Sequence, residues 1–117
     1  MPGLYGVGGR IAPARLKQVF DYIEAHLDQQ THLSDLAETA SMSTFYFARL
    51  FKNSVGFSPH KHVIMRRIER AKDLLKRSSM SVLEIGIRVG YLDAKHFRNT
   101  FRREAGVSPL EFRSSQS

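Results

Sequence analysis

Two short stretches of this 117-residue chain carry side chains suited to reading the edges of nucleic-acid bases. Phe45, Arg49 and Lys52 recur at spacings that share one side of a helix, flanked by Ala48 and Asn53, and Lys95, Arg98, Asn99 and Arg102 do the same fifty residues on. Arginine can bridge guanine O6 and N7, asparagine can bridge adenine N6 and N7, and an exposed phenylalanine can lie against a thymine methyl. Lys52, Asn53, Arg102 and Arg103 fall toward the C-terminal part of their stretches, where phosphate contact is expected rather than base contact.

Other chemistries find little support. His60 and His62 are two residues apart, so a helix would turn them to different sides, and His26, His32 and His96 have no partner at ligand spacing. Gly6-Val7-Gly8-Gly9 has neither a preceding strand nor a following lysine-serine pair, so it reads as a linker and not as a phosphate loop. No nucleophile stands beside a base in helical register. The chain is therefore expected to have no catalytic residues, no metal site and no cofactor, and not to be an enzyme.

The net charge of +7 is unevenly placed: residues 60–103 hold twelve basic and four acidic side chains, whereas residues 1–59 balance. Such a segment attracts a polyanion. The absence of cysteine excludes a disulfide framework and fits a reducing, cytoplasmic setting. Neither a signal peptide nor a membrane-spanning run is visible.

The elements that would position these residues occur twice. FARLFKNSVGFSP (47–59) and FRNTFRREAGVSP (97–109) coincide at Phe47/Phe97, Phe51/Phe101, Gly56/Gly106 and Ser58-Pro59/Ser108-Pro109, an offset of 50. Upstream, Leu36 pairs with Ile85 and Ala37 with Gly86 at an offset of 49, so the second copy has one extra residue in its turn. In each copy apolar residues at helical spacing are followed by a turn and a helix N-cap, Ser43 or Asp93, and a glycine ends the second helix. Ser81 with Glu84 and Ser108 with Glu111 have the spacing of capping boxes. Two short helices around a tight turn, twice over, describe two helix-turn-helix units.

The expected fold is all-α with about seven helices. Residues 1–12 form a flexible glycine-rich segment, 13–58 the first unit, 59–77 a linker helix, 78–113 the second unit and 114–117 a polar tail. The opening helix runs from Pro13 to about Gln29. On the reading helices Phe47, Leu50 and Phe51, and Phe97, Thr100 and Phe101, face inward, with Tyr46 packed at the core's edge.

Taken together, Leu36-Ala37, Ser43, Phe47, Arg49, Phe51-Lys52, Gly56, Ser58-Pro59, RIERAKDLL (67–75), Ile85-Gly86, Gly90-Tyr91, Asp93, His96-Phe97, Phe101, Gly106, Ser108-Pro109 and Phe112-Arg113 resemble the DNA-binding domain of the AraC/XylS regulators. The resemblance covers about Ile11 to Arg113. It implies base-reading positions at Phe45, Ala48 and Arg49 and at Ala94, Lys95, Arg98 and Asn99, on double-stranded DNA. It further implies a transcription activator working with RNA polymerase, through a domain that is monomeric by itself and does not engage a membrane. Two departures carry expectations. Ser41 replaces the usual turn glycine and would be strained if its φ is positive, and Gly86 in place of alanine would loosen its helix by about 1 kcal/mol. The alternative from composition alone is a basic helical adaptor that binds an acidic protein.

Overall fold

The computed structural model describes residues 9–116, and every regular element among them is an α-helix. In chain order these are α1 (Pro13–Ala25), α2 (Leu33–Thr39), α3 (Thr44–Val55), α4 (Pro59–Arg77), α5 (Val82–Arg88), α6 (Ala94–Ala105) and α7 (Pro109–Ser115). Among the described residues the all-α expectation and the seven helices both hold. Proline opens α1, α4 and α7, where its missing N–H would have had no helical partner. Ser58 Oγ accepts the Lys61 N–H at 3.1 Å, and Ser108 with Glu111 forms both bonds of a capping box at 3.1 Å. Ser81 forms the forward half, its Oγ accepting the Glu84 N–H at 3.1 Å. None of the described helices is long and apolar enough to cross a membrane.

The chain divides into two compact units: residues up to 26 with 30–63, and residues 27–29 with 64 onward. In the first unit Val19 and Ile23 of α1, Leu36 and Ala37 of α2, and Phe47, Leu50 and Phe51 of α3 are buried. The Phe20 ring meets Phe51 edge-on at 6.2 Å and stacks on His62 at 5.0 Å. Two expectations change here. Ile11, placed in a flexible segment by its glycine-rich surroundings, is buried and donates its amide N–H to Ser54 Oγ at 2.8 Å, so the chain is held from that point; residues 1–8 of the segment lie outside the described residues. Helix α1 stops at Ala25 and not near Gln29, because the Leu27 carbonyl accepts from Arg67 Nε at 2.9 Å and the Gln29 carbonyl from Arg67 Nη2 at 2.6 Å, which draws these residues into the second unit.

The second unit is built on Ile68, Ala71 and Leu75 of α4, Ile85 of α5, Val89, Tyr91, and Phe97 and Phe101 of α6. Phe112 closes it edge-on to Phe101 at 5.8 Å. Arg113 donates from Nε to the Leu75 carbonyl at 3.1 Å and from Nη2 to the Ser78 carbonyl at 3.4 Å, satisfying oxygens that the end of α4 leaves without helical partners. Helix α7 continues to Ser115, so the expected polar tail begins inside its last turn. Gly86, expected to loosen α5, also has a packing role. A Cβ there would stand 2.9 Å from Phe97 Cδ2, so the missing methyl is what lets the Phe97 ring close on α5.

The two turns share the same backbone hydrogen bond. The Met42 N–H reaches the Ala37 carbonyl at 2.9 Å and the Tyr91 N–H reaches the Gly86 carbonyl at 2.8 Å. Between them Ser41 and Gly90 both take positive φ, 57° and 101°. The extra residue of the second copy is therefore Leu92, which lies outside the shared turn and is 96% exposed. Ser41 holds a conformation that costs a residue bearing a Cβ about 1–2 kcal/mol, less the entropy that glycine loses on folding. Ser41→Gly should accordingly stabilise the domain by about 0.5–1 kcal/mol in urea titration; an unchanged or lower midpoint would mean that the Ser41 side chain offsets the strain.

Candidate nucleic-acid interface

Each reading helix starts at a capped N-terminus. Ser43 Oγ accepts the Tyr46 N–H at 3.4 Å, a long bond, whereas Asp93 Oδ1 accepts from Lys95 at 2.8 Å and from His96 at 3.1 Å. The N–H groups of His96 and Lys95 hold the Asp93 carboxyl below its ordinary pKa. Gly56 and Gly106 end the helices in the left-handed conformation.

Burial divides each helix as the spacing predicts. On α3, Phe47, Leu50 and Phe51 are buried, Ser54 is half-buried and Ala48 is half-buried, while Phe45, Arg49, Lys52 and Asn53 are exposed. On α6, Phe97, Thr100 and Phe101 are buried, Ala94 is half-buried, and Lys95, Arg98, Asn99, Arg102 and Arg103 are exposed. Phe45 is 72% exposed, with its ring edge-on to Tyr46 at 5.7 Å. Tyr46, expected at the edge of the core, is itself 48% exposed. Two aromatic faces thus stand in solvent beside Arg49.

The cations differ in what they already hold. Among the described residues Arg49, Lys52, Lys95 and Arg98 make no ion pair, so their charge is available to a ligand. Arg102 lies 3.7 Å from Glu111, and Arg103 Nε lies 3.7 Å from Glu104; these are loose, exposed contacts of small energetic weight. Asn53 Nδ2 donates to the Gly9 carbonyl at 3.2 Å, so a phosphate would have to compete for it. Arg67, one of the twelve cations of residues 60–103, directs its guanidinium to backbone carbonyls, as do Arg113 and Arg15 outside that segment, the Arg15 Nη1 donating to the Ala40 carbonyl at 2.7 Å. The charge on α6 is accordingly a better guide to the anion-facing surface than the total over residues 60–103.

One surface escaped the sequence reading. Leu83 and Ile87 are four residues apart on α5 and point away from Ile85 and Val89, leaving them 59% and 53% exposed, and Leu110 is 65% exposed. The signal was present as apolar residues on the polar side of a short amphipathic helix.

Comparison with known proteins agrees with this geometry. Residues 36–115 match the model of a helix-turn-helix domain family. The activator RhaS of Enterobacter sp. strain 638 is 32% identical over 103 residues, which is 88% of this chain and 37% of that protein. An AraC-type transcriptional regulator structure from Chromobacterium violaceum superposes with a TM-score of 0.83 at 29% identity, covering 89% of this chain and 93% of that one. The DNA-binding domain of AdpA, solved in complex with a target DNA, gives 0.81 at 34% identity, covering 86% and 91%. The chain spans 28–37% of the length of curated relatives such as GbdR and RhaS. With its two matched turns, its capped reading helices and these likenesses, the chain belongs to the AraC-type helix-turn-helix domain family.

Proposed function

We propose that this chain reads double-stranded DNA through α3 and α6, each entering a major-groove segment, as the DNA-binding domain of a transcription activator. Phe45, Ala48 and Arg49 on α3 and Ala94, Lys95, Arg98 and Asn99 on α6 are the base-facing positions; Lys52, Asn53, Arg102 and Arg103 grip phosphates. The domain binds as a monomer, and the activator acts in the cytoplasm with RNA polymerase. The observation that carries this reading is the pair of outward faces whose cations, Arg49, Lys95 and Arg98, make no ion pair among the described residues. An exposed cation kept free of carboxylates retains its full attraction for an anion. The AdpA complex and the RhaS name support the same direction.

Sites selected from random DNA provide the test. Specific DNA should compete at least ~10³-fold better than random DNA at physiological salt; an adaptor for acidic proteins would show no such preference. Arg49→Ala and Arg98→Ala should each cost about 1–3 kcal/mol on the selected site and little on random DNA. Arg102→Ala should weaken both alike. Equal behaviour of all three variants on both DNAs would refute the division between reading and gripping residues.

A further inference from the structure

The second unit contains a groove of about 390 Å³ that shares Ala94 and Arg98 with the proposed DNA-reading face and is otherwise lined by residues that face plays no part in. Helix α5 supplies Val82, Leu83 and Gly86, α6 supplies Ala94, Phe97 and Arg98, and the start of α7 supplies Ser108, Pro109 and Leu110, with Tyr91 from the turn. Its volume lies in the range of small-molecule sites, and such sites are mostly apolar with a few placed polar groups. Leu83 and Leu110, its most exposed apolar residues, leave hydrocarbon in contact with water that an occupant would cover.

The charge of the groove selects the occupant. Among the described residues Arg98 is the only charged one lining it, and it has no ion pair with any of them. Ser108 Oγ accepts from the Glu111 N–H and the Ser108 N–H donates to Glu111 Oε1, which leaves its O–H able to donate. An occupant therefore meets apolar walls, the Arg98 guanidinium and one hydroxyl donor, a combination that matches a compact apolar body bearing a single carboxylate. We propose that this groove binds an apolar monocarboxylate and that the bound carboxylate takes Arg98 away from DNA. The binding stands on the groove alone, whereas its effect on DNA rests on the function proposed above. Occupancy and DNA binding are then mutually weakening, by the same factor in each direction.

The probe is 2-naphthoate, with 2-naphthalenemethanol as its neutral counterpart, titrated into the isotopically labelled chain without DNA and followed by amide shifts. Naphthoate should bind saturably and shift Leu83, Gly86, Phe97 and Leu110. Arg98→Gln should weaken it at least about tenfold while leaving the alcohol unchanged. Leu110→Asn, at an exposed position, should weaken both ligands and keep the native spectrum. In the presence of the selected DNA, saturating naphthoate should lower DNA affinity about fivefold or more in the parent chain and not in Leu110→Asn. Alcohol binding as tight as the acid, indifference to Arg98→Gln, or shifts confined to another surface would each overturn the proposal. So would a concentration-dependent dimer that Leu110→Asn abolishes, with no naphthoate shifts, since a second copy would then cover the groove. Naphthoate binding with no effect on DNA would overturn the coupling and leave the DNA reading to stand on its own tests.

Discussion

Inserting five base pairs between the two segments of a selected site should lower affinity by about 10²–10⁴-fold, toward that of one unit alone. Two reading helices on one face of B-DNA address major-groove segments about 10 bp apart, and five extra pairs turn one segment to the opposite face. The residues that join the units, Pro59–Arg77, form one uninterrupted helix, which cannot lengthen to follow a displaced segment as a coil would. The second binding event then loses the high effective concentration that the first had given it. A gel-shift titration on the parent site and on the insertion variant measures the loss. Unchanged affinity would mean that one unit alone reads DNA or that two chains share the site, and the bipartite-monomer mechanism would fail.

Replacing Gly90 with alanine should cost the second unit about 3–5 kcal/mol, enough to unfold it in part at ambient temperature. Two causes act together. The φ of 101° is a conformation that a side-chain-bearing residue seldom adopts, and the added Cβ would run into the Leu27 carbonyl oxygen and stand 2.9 Å from Arg67 Cζ. That carbonyl and that guanidinium are hydrogen-bonded to each other, so neither can retreat without breaking the contact. Gly56→Ala is the control: its φ is 93°, but nothing lies within 4 Å of an added Cβ, so backbone strain acts by itself. Urea titration of both variants separates the two causes. Equal losses at the two positions would show that the Leu27–Arg67 contact yields freely.

The features legible in the sequence are those set by neighbours a few residues away. Ser43, Asp93 and Ser108 begin helices, Gly56 and Gly106 end them, and Phe47/Phe51 with Phe97/Phe101 mark the inward faces, because capping and helical period are local physics. The positive φ of Ser41 was foreshadowed by the family resemblance, which has glycine at that turn position. What stayed hidden depends on residues far apart in the chain. Arg67 meets the Leu27 carbonyl forty residues away and Ile11 meets Ser54 forty-three residues away, so neither the early end of α1 nor the anchoring of Ile11 could be read from spacing. Arg15, Arg67 and Arg113 look like surface charge in sequence and are partners of backbone oxygens in the structure. The candidate site was legible at Arg49, Lys95 and Arg98 as exposed positions, but not in its separation of cations free of ion pairs from those already engaged.

Leu92 is a solvent-facing insertion that neither packs in a core nor caps a helix, and the chain contains no cysteine. A Leu92→Cys variant therefore carries one thiol, two residues ahead of α6, at a position where a fluorophore displaces nothing the fold depends on. Dye emission from that point reports on the environment of the second reading helix alone. A single labelled sample would then give the order in which the two units engage DNA, when its emission trace is timed against total binding.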